Sequence, residues 1–180
     1  YLANDIKTGP INTMTKEFES AEKKVKDFVL NICKNESGKS VDYYHKKLGK
    51  IMWDKCGMSR NKEDLKSAIT EIQNLKKDFY KNVFVPGDTQ GYNEELAKAG
   101  RVADFLELGE LFATDALERN ESCGGHFREE YQTAEGEALR NDDDYTFVSC
   151  WEFRGTDRAP KLNKERLFFE SVELKSRSYK

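Results

Sequence analysis

The chain has 180 residues, of which 37% are hydrophobic and 35% are charged, so it suits one folded domain, with room for an appendage. Thirty Lys and Arg residues oppose 33 Asp and Glu residues, which gives a formal net charge of -3 with the two signs mixed along the chain. This balance excludes the basic footprint of a nucleic-acid-binding protein, and we expect no nucleic-acid partner.

The cysteine pattern and the chain ends bear on the cellular setting. The four cysteines are scattered and never form a Cys-x-x-Cys pair, which favours a reduced, intracellular environment. No apolar run approaches the roughly 18 residues that span a bilayer, and the opening YLANDIKTGP lacks the order of a signal peptide. The first residue is not Met, and we expect the chain to be a piece excised from a longer protein.

Three amphipathic helices are predicted in the first half of the chain, each with a polar residue at its start. Thr15, Ser40 and Asn61 can accept hydrogen bonds from the free amides of a first helical turn, and Gly57 can end the second helix. Apolar residues recur at three- and four-residue spacing, so we expect these faces, together with Trp53, to form core. The predicted apolar face of the first helix contains Phe18, Ala21, Val25, Phe28, Val29 and Ile32.

The longest predicted helix opens at Asn93 and runs to about Arg119. Its apolar residues cover more than one face, so we expect it to lie centrally in a bundle. Gly100 and Gly109 each cost a helix about 1 kcal/mol relative to alanine, and we expect them to permit close approach of a neighbouring backbone. Residues 1–119 are therefore predicted to form a helical bundle.

Residues 120–180 are predicted to form an irregular loop and a β-like tail that packs on this bundle as one structural unit. The segments YTFVSCWEF (145–153) and RLFFESVEL (166–174) are rich in aromatic and β-branched residues with partial alternation. We expect them to pair as antiparallel strands joined by a long connection. The predicted fold is thus mainly α, with a three-helix bundle, an additional helix and loop, and a C-terminal strand pair.

The segment ESCGGHFREEY (121–131) is the densest in reactive side chains. Cys123 and His126 could bind a metal, but a closed zinc site needs four ligands and no second Cys/His pair is near, so we predict no metal. Cys123 could instead pair with His126 or His45 as nucleophile and base, although the spacing is weak evidence for that chemistry. His45 is most simply a histidine on a helix surface.

The acidic residues Glu129 and Glu130 are adjacent and favour a solvated surface over a catalytic pair. For the loop as a whole, two interpretations remain open. It can be a structured connection in which His126 and Arg128 bond to nearby backbone or carboxylates. It can also be a docking surface, because paired glycines permit close contact and Arg128 can bind a carboxylate or phosphate through two parallel hydrogen bonds.

Three stretches together resemble one protein family. LGKIMWDKCGMSRN (48–61), AGRVADFLELGEL (99–111) and ESCGGHFREEYQTAEGEALRNDDDYTFVSCWEF (121–153) look like the C-terminal region of the flavoprotein subunit of succinate dehydrogenase and fumarate reductase. The resemblance runs in order from residue 1 to about residue 153. It implies a three-helix bundle, similar to a spectrin repeat, followed by an extended tail.

The family's loop typically reads Glu-Ser-Arg-Gly, a small or apolar residue, His, any residue, Arg-Glu-Asp. The positions that match it are Glu121, Ser122, Gly124, His126, Arg128 and Glu129. Cys123 stands where the family usually has arginine, Gly125 where alanine is common, and Glu130 where aspartate is usual. Cys123 therefore inherits no role from the resemblance.

The resemblance implies a parent enzyme that interconverts succinate and fumarate at FAD. It implies electron transfer through an iron–sulfur subunit to or from a membrane quinone, and so an indirect link to the membrane anchor. The flavin and dicarboxylate residues of the family lie upstream, and no Gly-x-Gly-x-x-Gly occurs in this chain. We therefore expect no catalytic, cofactor-binding or metal residue here, and a location at the cytoplasmic face of the inner membrane within a peripheral subunit.

The resemblance also suggests a role for the matched loop residues 121–129, as a surface that docks on the FAD-binding domain of the same polypeptide or on the neighbouring subunit. Two alternatives remain for the whole chain. One is a stand-alone helical interaction module, and the other is the corresponding domain of L-aspartate oxidase. The extended likeness over 126–153 favours the dicarboxylate reductase over L-aspartate oxidase.

Overall fold

A computed structural model describes residues 12–89, 91–155 and 158–175 of the chain. Four long helices dominate it: α1 (Lys16–Cys33), α2 (Val41–Cys56), α3 (Lys62–Asn82) and α4 (Glu94–Glu118). A single turn, α5 (Asp142–Tyr145), follows the loop. The predicted mainly helical fold is confirmed. The predicted division of the chain at residue 119 stays a prediction.

Three of the long helices begin with a side-chain cap. The side chains of Ser40, Asn61 and Asn93 accept hydrogen bonds from amides inside α2, α3 and α4, respectively. Thr15 precedes α1, but its side chain makes no such bond. Polar side chains that satisfy free amides locally thus set the starts of the three helices that pack most closely.

The bundle core lies between α2, α3 and α4, which pack against one another. Tyr44, Leu65, Ile72, Phe79 and Leu106 are fully buried within it. A short parallel pair, β1 (Lys39–Ser40) with β2 (Val83–Phe84), ties the start of α2 to the end of α3. Strands of two residues are too short to give a periodic signal in the sequence.

Two predictions about the core are wrong. Trp53 is 83% exposed rather than part of the core. On α1 only Ile32 is buried, while Val25 is 63% exposed and Phe18 is also exposed. Helical spacing identifies an apolar face, but nothing in the spacing tells whether this chain covers that face.

The two glycines of α4 behave differently from one another. A Cβ added at Gly109 would lie 3.3 Å from Leu48 Cδ1 and 3.4 Å from Met52 Sδ, so side chains of α2, rather than its backbone, fill the space. A Cβ added at Gly100 would meet nothing within 4 Å. The expected approach of a neighbouring backbone therefore occurs at neither glycine, although Gly109 gives room to neighbouring side chains.

The C-terminal strand pair consists of β3 (Phe147–Glu152) and β4 (Lys161–Arg166), which are antiparallel with Phe147 opposite Arg166. An antiparallel pair is confirmed, but its second strand lies before the predicted segment 166–174. Backbone hydrogen bonds hold β4, and its mostly exposed polar side chains gave no apolar signal. No helix in the described parts of the chain is long and apolar enough to cross a membrane.

Candidate functional site

The C-terminal end of α4 is capped by side chains that come from later in the chain. Arg128 is 1% exposed, and its Nη1 donates to the carbonyls of Ala116 at 3.0 Å and Leu117 at 3.3 Å. The Tyr145 hydroxyl donates to the Glu118 carbonyl at 3.3 Å. Helix ends leave carbonyls without partners and carry partial negative charge, so a guanidinium there is doubly stabilising.

Ser122 fixes the backbone around Arg128. Its Oγ accepts from the Arg128 amide at 2.8 Å and donates to the Arg128 carbonyl at 3.2 Å. The Ser122 amide donates to the Leu139 carbonyl at 2.9 Å. Ser122 and Arg128 are both buried, so this pairing satisfies polar groups that water does not reach.

Glu121 is the third buried polar residue of the segment. Its carboxylate accepts from the Arg119 guanidinium and, at 2.9 Å, from the Asn141 amide. Arg119 also donates to the Phe147 carbonyl at 3.1 Å, and so joins the loop to the start of β3. Both oxygens of the Glu121 carboxylate therefore have a partner within the chain.

A tight turn connects Cys123 to His126. The amide of each donates to the carbonyl of the other, at 2.8 Å and 3.0 Å. Gly124 adopts φ +59°, in the left-handed region that favours glycine. Gly124 and Gly125 are exposed, and a Cβ on either would meet nothing within 4 Å. The turn therefore presents an open backbone tip.

His126 joins two elements through its ring. Nε2 lies 3.0 Å from the Arg119 carbonyl, and Nδ1 lies 2.9 Å from Arg60 Nη1. A carbonyl only accepts and a guanidinium only donates, so the ring carries its proton on Nε2 and is neutral. Burial, reinforced by the nearby arginine charges, lowers the pKa of His126 below its ordinary value.

The loop also lies against the connection between α2 and α3. The Arg60 amide donates to the Phe127 carbonyl at 3.1 Å, and the Glu129 amide donates to the Arg60 carbonyl at 2.8 Å. Ser59 Oγ donates to the Glu129 carboxylate at 2.7 Å. The Arg60 guanidinium lies over the Phe112 ring, with Cζ 4.9 Å from the ring centroid. Burial lowers the pKa of Arg60.

The structure brings together all six matched loop residues but distributes them between two roles. Glu121, Ser122 and Arg128 are buried, and half-buried His126 lies beside them, whereas Gly124 and Glu129 are exposed. The contacts of His126 and Arg128 with backbone and carboxylates are those of a structured connection. The exposed tip is the part of the loop that is free to meet another surface.

Sequence reasoning missed Arg60 and Arg119, which hold the loop from either side. Arg119 directly follows α4, where the last carbonyls need donors, so its position was a usable signal. Arg60 gave no such signal, because its partner His126 is 66 residues away in sequence.

Catalytic and metal chemistry find little support in this arrangement. Both nitrogens of His126 have partners, so neither is available as a base for Cys123. His45 stacks on Phe105 of α4. At a helical rise of 1.5 Å per residue, Phe105 lies roughly 20 Å from the end of α4 where the loop begins, so His45 is far from Cys123. Among the residues that the structure describes, no three His, Cys, Asp or Glu side chains come together as metal ligands.

Two clefts open near the loop. The first, of about 250 Å³, lies between the C-terminal end of α4 and the turn, and Arg60, Phe112 and His126 contribute to its lining. The second, of about 380 Å³, is lined in part by Asp142 and Asp143. Arg140 also lines the second cleft and pairs with Asp142, so this cleft carries charges of both signs.

Comparison with known proteins agrees with the fold and with the loop. The family model of the fumarate reductase flavoprotein C-terminus matches residues 45–179. The fumarate reductase flavoprotein subunit of Helicobacter pylori (strain J99) is 28% identical over 174 residues, which is 97% of this chain and 24% of that protein. The succinate dehydrogenase flavoprotein subunit of Bacillus subtilis is 21% identical over 98% of this chain and 29% of that protein.

A solved quinol–fumarate reductase with menaquinol molecules superposes with a TM-score of 0.75 at 21% identity, over 92% of this chain and 27% of that one. The present chain thus spans about a quarter of the length of the curated relatives that it matches. Because the family match covers three quarters of the chain, including the capping loop, the chain belongs to the family of fumarate reductase flavoprotein C-terminal domains.

Proposed function

We propose that this chain serves as the C-terminal helical domain of a flavoprotein subunit that interconverts succinate and fumarate at FAD. The observation that carries the proposal is the family match, which extends from within α2 over the rest of the bundle, the loop and the tail. Electrons would pass between the flavin and an iron–sulfur subunit, and from there to or from a membrane quinone through the anchor. The parent would be a peripheral subunit at the cytoplasmic face of the inner membrane.

The chain's own residues support a structural share in that activity. The loop side chains with acid–base capacity are engaged: Glu121 with Arg119, and His126 with Arg60. The chain has no Gly-x-Gly-x-x-Gly, the motif with which dinucleotide-binding domains hold a pyrophosphate. These observations support a flavin site in another part of the parent.

The loop's contribution would be to dock the helical domain on the FAD-binding domain. Its buried half is held by Ser122 and Arg128, so the exposed tip at Gly124 and Gly125 is ordered before any partner arrives. A preordered surface loses little conformational entropy on binding. Exposed Glu129 beside the tip adds a charge that a cationic side chain of the partner can pair.

The first experiment uses the 180-residue chain alone. We expect no tightly bound flavin absorbance after desalting with excess FAD, and no succinate-dependent dye reduction. Turnover by the isolated chain would refute the proposal. The coding sequence before Tyr1 tests the alternatives: a dinucleotide fingerprint upstream supports the flavoprotein, whereas an initiator Met directly before Tyr1 supports a stand-alone interaction module.

The second experiment tests the docking tip in the full flavoprotein. Gly125→Arg adds bulk at an open, exposed position without a positive φ, so it leaves the fold of the domain intact. We expect it to lower assembled, active enzyme at least several-fold. Gly49→Arg is the matched control, because Gly49 is also exposed and open but lies on α2. Equal yields of active enzyme from both variants would contradict docking through the tip.

A further inference from the structure

The ring of His126 is a bridge between two parts of the fold that carry positive charge. Nδ1 accepts from Arg60 on the α2–α3 connection, and Nε2 donates to the Arg119 carbonyl at the end of α4. The charges of Arg60, Arg128 and Arg119 all oppose protonation of the ring. The bridge therefore exists only while Nδ1 keeps its lone pair.

The acidic groups nearby do not offset this charge. From α4, Asp115 lines the same cleft as His126, but its Oδ1 accepts from Trp151 Nε1 at 2.7 Å. From the loop itself, Cys123 faces the cleft as a half-buried free thiol. Among the residues that the structure describes, the ring partners of His126 are Arg60 and the Arg119 carbonyl, so a proton on the ring would meet cations and no ion-pair partner.

We propose that His126 is a proton-sensitive latch, whose neutral ring holds the loop 121–130 on the α2–α3 connection and whose protonation loosens it. A proton on Nδ1 removes the acceptor for Arg60 and places two positive groups 2.9 Å apart. The imidazole ring and the guanidinium then have to move apart. The backbone bonds of Arg60 with Phe127 and Glu129 then hold the loop without help from the ring, so we expect them to open more often.

The sign of the pH dependence follows from the lowered pKa of His126. The folded loop binds this proton more weakly than the open loop does, so the latch is fully closed above the ordinary histidine value of 6.5. Its stability falls as pH drops below 6.5 and levels off below the folded pKa. One such group changes the opening equilibrium by at most about tenfold per pH unit.

Proton and nitrogen NMR of the 180-residue chain test the latch directly, because the sequence has only two histidines. His45→Gln removes the other set of ring signals and so assigns those of His126. We expect His126 to be the Nε2–H tautomer at pH 7.5 and to titrate below pH 6.5. A charged ring or an Nδ1–H tautomer at pH 7.5 would overturn the proposal.

Hydrogen exchange then tests whether the proton opens the loop. The amides of Arg60 and Glu129 report on the contact between the loop and the connection. After correction for intrinsic exchange rates, we expect protection to fall several-fold from pH 7.5 to 5.5 in the wild type, within the limit of about tenfold per unit. We expect a smaller fall in His126→Gln, which keeps a donor for the Arg119 carbonyl but does not titrate.

Equal pH dependence in the wild type and His126→Gln would refute the latch, even if the loop docks as proposed above. The effect of pH on assembly of the parent flavoprotein rests on the proposed function, and is measured separately. If the latch titrates in the isolated chain while assembly is independent of pH from 7.5 to 5.5, the latch stands and assembly does not depend on it, whereas the Gly125→Arg comparison decides the docking role.

Discussion

Replacing Arg128 by alanine should destabilise the domain more than replacing any exposed arginine. Arg128 supplies donors to the carbonyls of Ala116 and Leu117, and its Nε donates to Glu130 at 3.1 Å. Leaving a buried acceptor without a partner costs about 1–3 kcal/mol. One buried bond and one partly buried bond therefore predict a loss of about 2–4 kcal/mol, or roughly 5–15 °C in Tm for a chain of this size.

Urea denaturation followed by circular dichroism measures this loss. Arg128→Lys should recover part of it, because an ammonium reaches one carbonyl but lacks the planar arrangement of guanidinium donors. Arg101→Ala is the matched control, since Arg101 lies on α4 with an exposed side chain. A loss below about 0.5 kcal/mol for Arg128→Ala, or an equal loss for Arg101→Ala, would refute the capping argument.

Gly109→Leu should destabilise by about 1–3 kcal/mol, because its side chain would overlap those of α2, and an unchanged urea midpoint would contradict that packing. Gly100→Ala should instead stabilise by up to about 1 kcal/mol in the same assay, since its position is open. Trp151→Phe should lose about 0.5–1.5 kcal/mol through the missing bond to Asp115, and a neutral result would show that water replaces the indole donor. Zinc measured after dialysis should be far below one equivalent, and stoichiometric zinc that is lost in Cys123→Ser would disprove the prediction of no metal.

Features that depend on residues close together in the sequence could be predicted. Features that depend on a distant part of the chain could not. The cap at Asn61 was predictable because its side chain bonds an amide three residues away. Strand β4 was not predictable, because its partner's backbone determines the pairing and its own side chains are mostly polar and exposed. Trp53 was placed wrongly because helical spacing is the same for a face covered within the chain and a face left open.

The candidate site shows the same limit. Resemblance identified Glu121, Ser122, Gly124, His126, Arg128 and Glu129, and the structure places them in one loop. Only the three-dimensional contacts show that Glu121, Ser122 and Arg128 are buried, whereas the tip at Gly124 and Gly125 is exposed. Arg60 in particular becomes part of the site only when the α2–α3 connection meets the loop.

The cap of α4 has a consequence for how the domain emerges during synthesis. The carbonyls that end this helix receive their donors from Arg128 and Tyr145, which lie 12 and 27 residues later than the carbonyls of Ala116 and Glu118. When α4 has just been synthesised, the carbonyls at its C-terminal end therefore still lack these donors. We expect the last turn of α4 to unwind and re-form until the ribosome has released the loop and α5. The helix is then completed by residues that are translated after it.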